Sequence, residues 1–285
     1  MSRNSVLFLS LLALIVGGIF WYQYRYYRTP VAIPTSEFRQ IVLGTAHKDD
    51  IPSIDEPAYE SVASADVYLN DVGKGLAVEV GSRARFYPFQ ILVWHEVVND
   101  TLNGRDLLVT FDPLTYASAV YDRGDMFGVS GKLWNSNTLL YDRTTESLWS
   151  QLRGEAIEGT LAGTRLTRYS SEVMAWATYK IEYPYGQVLS RETGADRDYT
   201  QDPYDGYYES AAIWFPLDRE DPRLAPKSFV FGVERQGAAV AFPVDSLEEF
   251  DTIQAIVQEN DILVPSYWFA WAAMHLETQL YSSNN

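Results

Sequence analysis

The chain has 285 residues, 47% of them hydrophobic, which is enough for a substantial core and too apolar for a disordered protein. Its net charge is −16; once Arg3, Arg25 and Arg28 are removed from the 22 basic residues, 19 remain against 38 acidic ones in the body. That balance argues against a phosphate-backbone footprint, so no nucleic-acid partner is expected. The absence of cysteine excludes disulfides, thiolate metal sites and cysteine nucleophiles.

Residues 5–22, SVLFLSLLALIVGGIFWY, are apolar and uncharged over a length that just crosses a bilayer. An aromatic belt (Trp21, Tyr22, Tyr24, Tyr26, Tyr27) with Arg25 and Arg28 follows at once, as at a membrane interface. The alternative is a cleaved signal peptide, for which Val16-Gly17-Gly18 is a poor site. Residues 1–28 therefore read as an uncleaved single-pass anchor in the cell membrane, with the body extracytoplasmic. Residues 29–60 read as a linker and lead-in, interrupted by Pro30, Pro34, Pro52 and Pro57.

Residues 61–285 read as one globular domain of mainly β, α+β class, with a few helices. Short runs bounded by Gly, Asn and Asp predict strands at LAVEV, ARFYP, 91–98 and 107–111, then near 117–121, 126–130, 138–142 and 155–158. Asn103-Gly104 signals a hairpin. Helical periodicity appears at 171–181 and 246–258, and the apolar run Trp268–Met274 reads as core with His275 at its edge. One echo links distant segments: AVEVGSRARFYPFQIL (77–92) aligns without gaps to GVERQGAAVAFPVDSL (232–247), predicting two related hairpin units in one body.

WHEVVND and FGVSGKLWNSNTLLYDRTTESLWSQLRGEAIEGTLAGTRL, with KDDIPSIDEP, LSRETG, RDYTQDPYDGYYES and YWFAWAAMH, resemble a prokaryotic family known as domain-of-unknown-function family 3179. The likeness covers nearly everything after the anchor. It implies a secreted or membrane-attached domain with no established activity. Members typically carry C-P-L-C after the strand that follows WHE, where this chain has Asp112-Pro113-Leu114-Thr115. A carboxylate and a hydroxyl there suit only a hard cation such as Ca²⁺ or Mg²⁺. No cofactor is expected and no metal can be assigned.

His95-Glu96-Val97-Val98-Asn99 begins like the zinc helix H-E-x-x-H, but Asn99 occupies the second ligand position and Val97-Val98 favours a strand. On a strand, His95 and Glu96 would point to opposite faces. His95 is the candidate for acid–base work, its ordinary pKa lying near neutrality. Glu96 with Glu155 would be the carboxylate pair of a glycan hydrolase. Trp94, Asn99, Asp112, Arg143, Trp149, Gln151 and His275 are the ligand-lining candidates. Asp142, Arg143 and Glu146 are expected to flank a hairpin turn and pair in solvent. The acidic, aromatic loop 196–208 lacks the EF-hand pattern and reads as a solvated loop with tyrosines packed beneath. The favoured function is binding of an unknown ligand in a polar, aromatic-lined cleft built around WHE and SLWSQ. The alternatives are a hydrolase-like or metal-assisted enzyme using His95 with carboxylates, and a structural envelope protein.

Overall fold

The computed structural model describes residues 40–235, 238–245, 249–258 and 260–281. The expected anchor at 5–22 lies outside them. Among the described residues no helix is long and apolar enough to cross a membrane.

Two antiparallel sheets form the centre. One orders β1 (Ile41–Leu43), β8 (Phe127–Trp134), β9 (Asn137–Asp142), β10 (Leu148–Ser150) and β11 (Glu155–Glu158). The other orders β12 (Arg168–Tyr169), β7 (Ala117–Asp122), β6 (Arg105–Asp112) and β5 (Val97–Leu102). Strand alternation gives the second sheet two buried faces. Val97, Leu108, Ala119 and Tyr121 pack on Phe127, Val129, Leu140 and Trp149 of the first sheet. Val98, Leu107, Val109, Phe111 and Val120 pack the other way, onto two outer sheets. Burial on both faces is why LLVTF reads as a continuous apolar run instead of an alternation. Asn103 (φ +50°) and Gly104 (φ +79°) join β5 to β6, both in the left-handed region that a two-residue hairpin requires.

The outer sheets are two copies of one unit. The first orders β13 (Glu172–Ala175), β3 (Lys74–Val80), β4 (Arg83–Pro88), β14 (Gln187–Leu189) and β2 (Tyr59–Ser61). The second orders β17 (Val264–Tyr267), β15 (Phe229–Arg235), β16 (Ala238–Val244) and β18 (Gln279–Leu280). Gly75 lies opposite Pro88 and Val230 opposite Pro243, so the sequence echo carries the same register into both hairpins. The likeness continues where the sequence does not advertise it. Met174 lies opposite Gly75 as Ser266 does opposite Val230, and Gln187 beside Arg85 as Gln279 does beside Val240. A seven-residue helix bridges each pair of later strands, Trp176–Glu182 in one unit and Trp268–Met274 in the other.

The expected strand over 91–98 is instead a helical turn, Phe89–Leu92, that winds on to Glu96 before β5 begins at Val97. Phe89, Ile91, Leu92 and Val93 are all buried, and an apolar run of that length looks the same whether it is strand or helix. His95 and Glu96 are therefore not strand residues. The helical signals at 171–181 and 246–258 shrink to Trp176–Glu182, preceded by β13, and to Phe250–Gln254. Residues 40–61 supply edge strands, β1 against β8 and β2 against β14.

Candidate functional site

The helical turn and β5 meet at Glu96, whose φ of +58° is left-handed, a conformation usually left to glycine at the end of a helix. Its N–H donates to the Leu92 carbonyl (2.7 Å) and its carbonyl accepts from Phe111 N (3.0 Å), which fixes the residue between helix and sheet. Strand alternation carried back from Val97 would send the side chain away from the first sheet. The left-handed residue resets that alternation and brings it onto Thr138. A glutamate held where glycine would be unstrained costs roughly 1 kcal/mol or more, so it is a candidate for function.

Around it lies a buried polar cluster at one end of the central sandwich. Thr138 Oγ1 donates to Glu96 Oε2 (2.7 Å), and Thr138 N donates to Asp112 Oδ2 (3.0 Å). Asp112 also accepts from Thr115 Oγ1 (2.8 Å), Asn137 Nδ2 (2.6 Å) and Leu114 N (3.0 Å). Asn137 Nδ2 also reaches Gln151 Oε1 (2.9 Å), while Gln151 Nε2 donates to Thr110 Oγ1 (2.8 Å). The two positions where the resemblance places cysteines thus face each other, as a carboxylate and a hydroxyl.

Burial pushes both carboxyls up, and Asp112's charge pushes Glu96 further, to about 8. Asp112 has four donors and keeps the charge; Glu96 has one and keeps the proton at neutral pH. Glu96 Oε1 has no hydrogen-bond partner among the described residues. The residue opens on a cavity of about 160 Å³ lined by Thr138, Lys132, Leu114, Tyr204, Trp214 and Phe215. Burial raises the Tyr204 phenol as well, helped by the nearby Glu96 and Asp112 charges. Among the described residues, no three His, Asp or Glu side chains are placed to share a metal ion.

The remaining candidates fall elsewhere. His95 is 1% exposed, with Nδ1 on the Pro52 carbonyl and Nε2 on the Tyr199 hydroxyl, each at 2.7 Å. A carbonyl only accepts, so Nδ1 carries the proton and Nε2 takes one from Tyr199. Burial lowers the ring's pKa and keeps it neutral. Trp94 donates to the Gln201 carbonyl at 3.1 Å. Asn99 and Arg143 meet at Asp55, each at 2.8 Å. Trp149 is core and donates to Asp142 Oδ2 (2.9 Å). Glu155 and His275 join a different, charged chain: Glu155 pairs with Arg153 (2.9 Å) and Arg165 (2.6 Å), and Arg165 with Glu234 (3.1 Å). Glu234 in turn meets His275 Nε2 at 2.7 Å, and His275 stacks on Trp271 at 3.8 Å.

The structure thus gathers Glu96, Asp112 and Gln151, and separates them from His95 and from the Glu155–His275 chain. The pairing in solvent expected for the 142–146 turn forms for Arg143 and Glu146, with partners from the lead-in, and fails for Asp142. Asp142 is buried and accepts from Thr145 N (2.6 Å) and Trp149, Arg143 turns to Asp55, and Glu146 to Lys48 (2.6 Å). Sequence reasoning missed Asn137 and Thr138. Their signal was NSNT, four small polar residues between apolar strands, all buried here.

These features define a β-rich body that holds a strained, proton-bearing carboxyl at the edge of an aromatic-lined cavity. The sequence matches, over residues 48–266, the family described as Protein of unknown function (DUF3179), and the chain belongs to that family. No curated protein and no solved structure matches it.

Proposed function

We propose that the protein binds a small ligand in the cavity beside Glu96, and that the Glu96 carboxyl donates its proton in a hydrogen bond to an acceptor on that ligand. The observation that carries this reading is Glu96 Oε1, without a hydrogen bond among the described residues, on a side chain that lines a cavity with room for about five water-sized groups. Tyr204, Trp214 and Phe215 would cover the ligand's apolar surface, and Lys132 sits on the lining with its ammonium group in no hydrogen bond or ion pair among the described residues. The test is a thermal-shift panel of small amides, esters and carboxylic acids at pH 6.5 and 9.5. A true ligand protects at the lower pH, loses protection at the higher one, and does not protect Glu96→Leu. Protection that ignores both changes refutes the reading.

A membrane-anchored, extracytoplasmic setting belongs to the same proposal and rests on residues 5–22. Full-length protein is expected in the membrane fraction, and uncleaved protein in the soluble pool would refute it. A second reading, an acid–base enzyme, is favoured by the burial of Glu96 beside Asp112, which pushes its carboxyl up to about 8 and leaves it a proton to give at neutral pH. That reading assigns the acid to Glu96, because both ring nitrogens of His95 already have partners.

A further inference from the structure

We propose that a second, larger cavity, on the opposite face of the β5–β6–β7 sheet, binds a small organic cation carrying an alkylated ammonium group. The cavity is about 520 Å³, and Phe89, Phe111, Tyr116, Tyr208, Phe229 and Tyr267 line it. Those rings come from the helical turn, the central sheet, the 199–209 loop and the second outer unit. Tyr116, itself left-handed at φ +53°, stands edge-on to Phe89, Phe111, Tyr208 and Phe229 at 5.1–5.9 Å between centroids.

The polar part of the lining has one sign. It includes Asp202 and Glu209 and no lysine, arginine or histidine. The Glu209 carboxylate has no hydrogen bond or ion pair among the described residues, and Asp202 uses one oxygen to cap Tyr204 N at 2.8 Å. Lys227, which feels the Glu209 charge, is turned to Tyr207: it donates to that residue's carbonyl and lies 3.3 Å from the centre of its ring. The aromatic lining and the two carboxylates together favour a cation. An alkylated ammonium suits them best, because it loses little hydration on entry and is attracted to both. A chain with net charge −16 also draws cations toward it.

The inference is independent of the Glu96 cavity, so each can fail alone. Calorimetric titration of full-length protein with choline, and with its uncharged isostere 3,3-dimethylbutan-1-ol, separates charge from shape. Choline should bind at least about tenfold more tightly than the alcohol. The exposed pair Asp202→Asn and Glu209→Gln should lose most of that preference without a change in Tm, Tyr208→Leu should weaken choline, and Glu96→Gln should leave it unchanged. Phosphatidylcholine vesicles that compete with choline would make the source a lipid headgroup; vesicles that do not would make it a free solute. Equal affinity for choline and the alcohol, no binding of either, or unchanged choline affinity in the neutralised pair would overturn the proposal.

Discussion

Replacing Glu96 with glutamine should stabilise the protein, and the gain should grow with pH. The unfolded chain releases the Glu96 proton near 4.5, whereas the folded chain holds it to about 8. Between those values the native state binds the extra proton, so folding stability falls as pH rises through the window and levels off above it. Over the whole window the cost approaches ~5 kcal/mol, an upper bound because the carboxyl opens on a cavity that water can enter. Glutamine keeps the acceptor for Thr138 Oγ1, cannot ionise, and turns its amide N–H groups to the cavity. The difference between Glu96→Gln and wild type should therefore be small at pH 4.5 and several kcal/mol at pH 8.5. For a domain of this size that is a rise in Tm of roughly 5–15 °C. Urea or thermal melts of both proteins at pH 4.5, 6.5 and 8.5 read it directly. A shift that is equal at every pH, or a loss that deepens as pH rises, would refute the assignment of the proton to Glu96.

Asp112→Ala should cost about 3 kcal/mol or more by orphaning Thr138 N, Leu114 N and the Thr115 hydroxyl, measurable as a loss of urea midpoint with unchanged slope. His95→Ala should cost about 2–4 kcal/mol, since it deletes two buried hydrogen bonds and leaves a void; a neutral effect on Tm would show that the Pro52 and Tyr199 contacts carry no weight. Trp149→Ala should cost about 3–5 kcal/mol through lost packing in the central sandwich and the loss of one of the donors on Asp142 Oδ2, again by denaturant melts. Gly232→Ala should destabilise by about 1–3 kcal/mol, because its Cβ would lie 2.1 Å from the Trp271 ring, and Trp271→Tyr in the same chain should recover part of the loss.

The β-rich class and the paired hairpins were legible because hairpins write themselves locally, in Asn103-Gly104 and in the recurrence of Val-Glu and aromatic-Pro. The second half of each outer unit was not legible, because equivalent residues fill different space. Trp271 stands where the first unit has Tyr179, and Gly232 stands where it has Ala77, a compensating change that preserves register while erasing similarity. The helical turn at 89–96 was hidden by its own burial, and with it the left-handed backbone at Glu96 that decides which way the carboxyl points. Glu96, Asp112 and Gln151 were visible as polar residues in apolar surroundings, but their meeting depends on Thr138 and Asn137, whose small side chains announce nothing. His95 drew attention for its chemistry, while the ring's two partners come from residues 43 and 104 positions away, beyond the reach of any local pattern.

The most direct test of the central claim is a pH titration of the glutamate side-chain carboxyls by ¹³C NMR, with Glu96→Gln used to assign the resonance. The account predicts one glutamate, absent from the variant, that titrates near pH 8 and moves to a lower value when Asp112→Asn removes the neighbouring charge. A Glu96 resonance that titrates in the ordinary carboxylate range would contradict it.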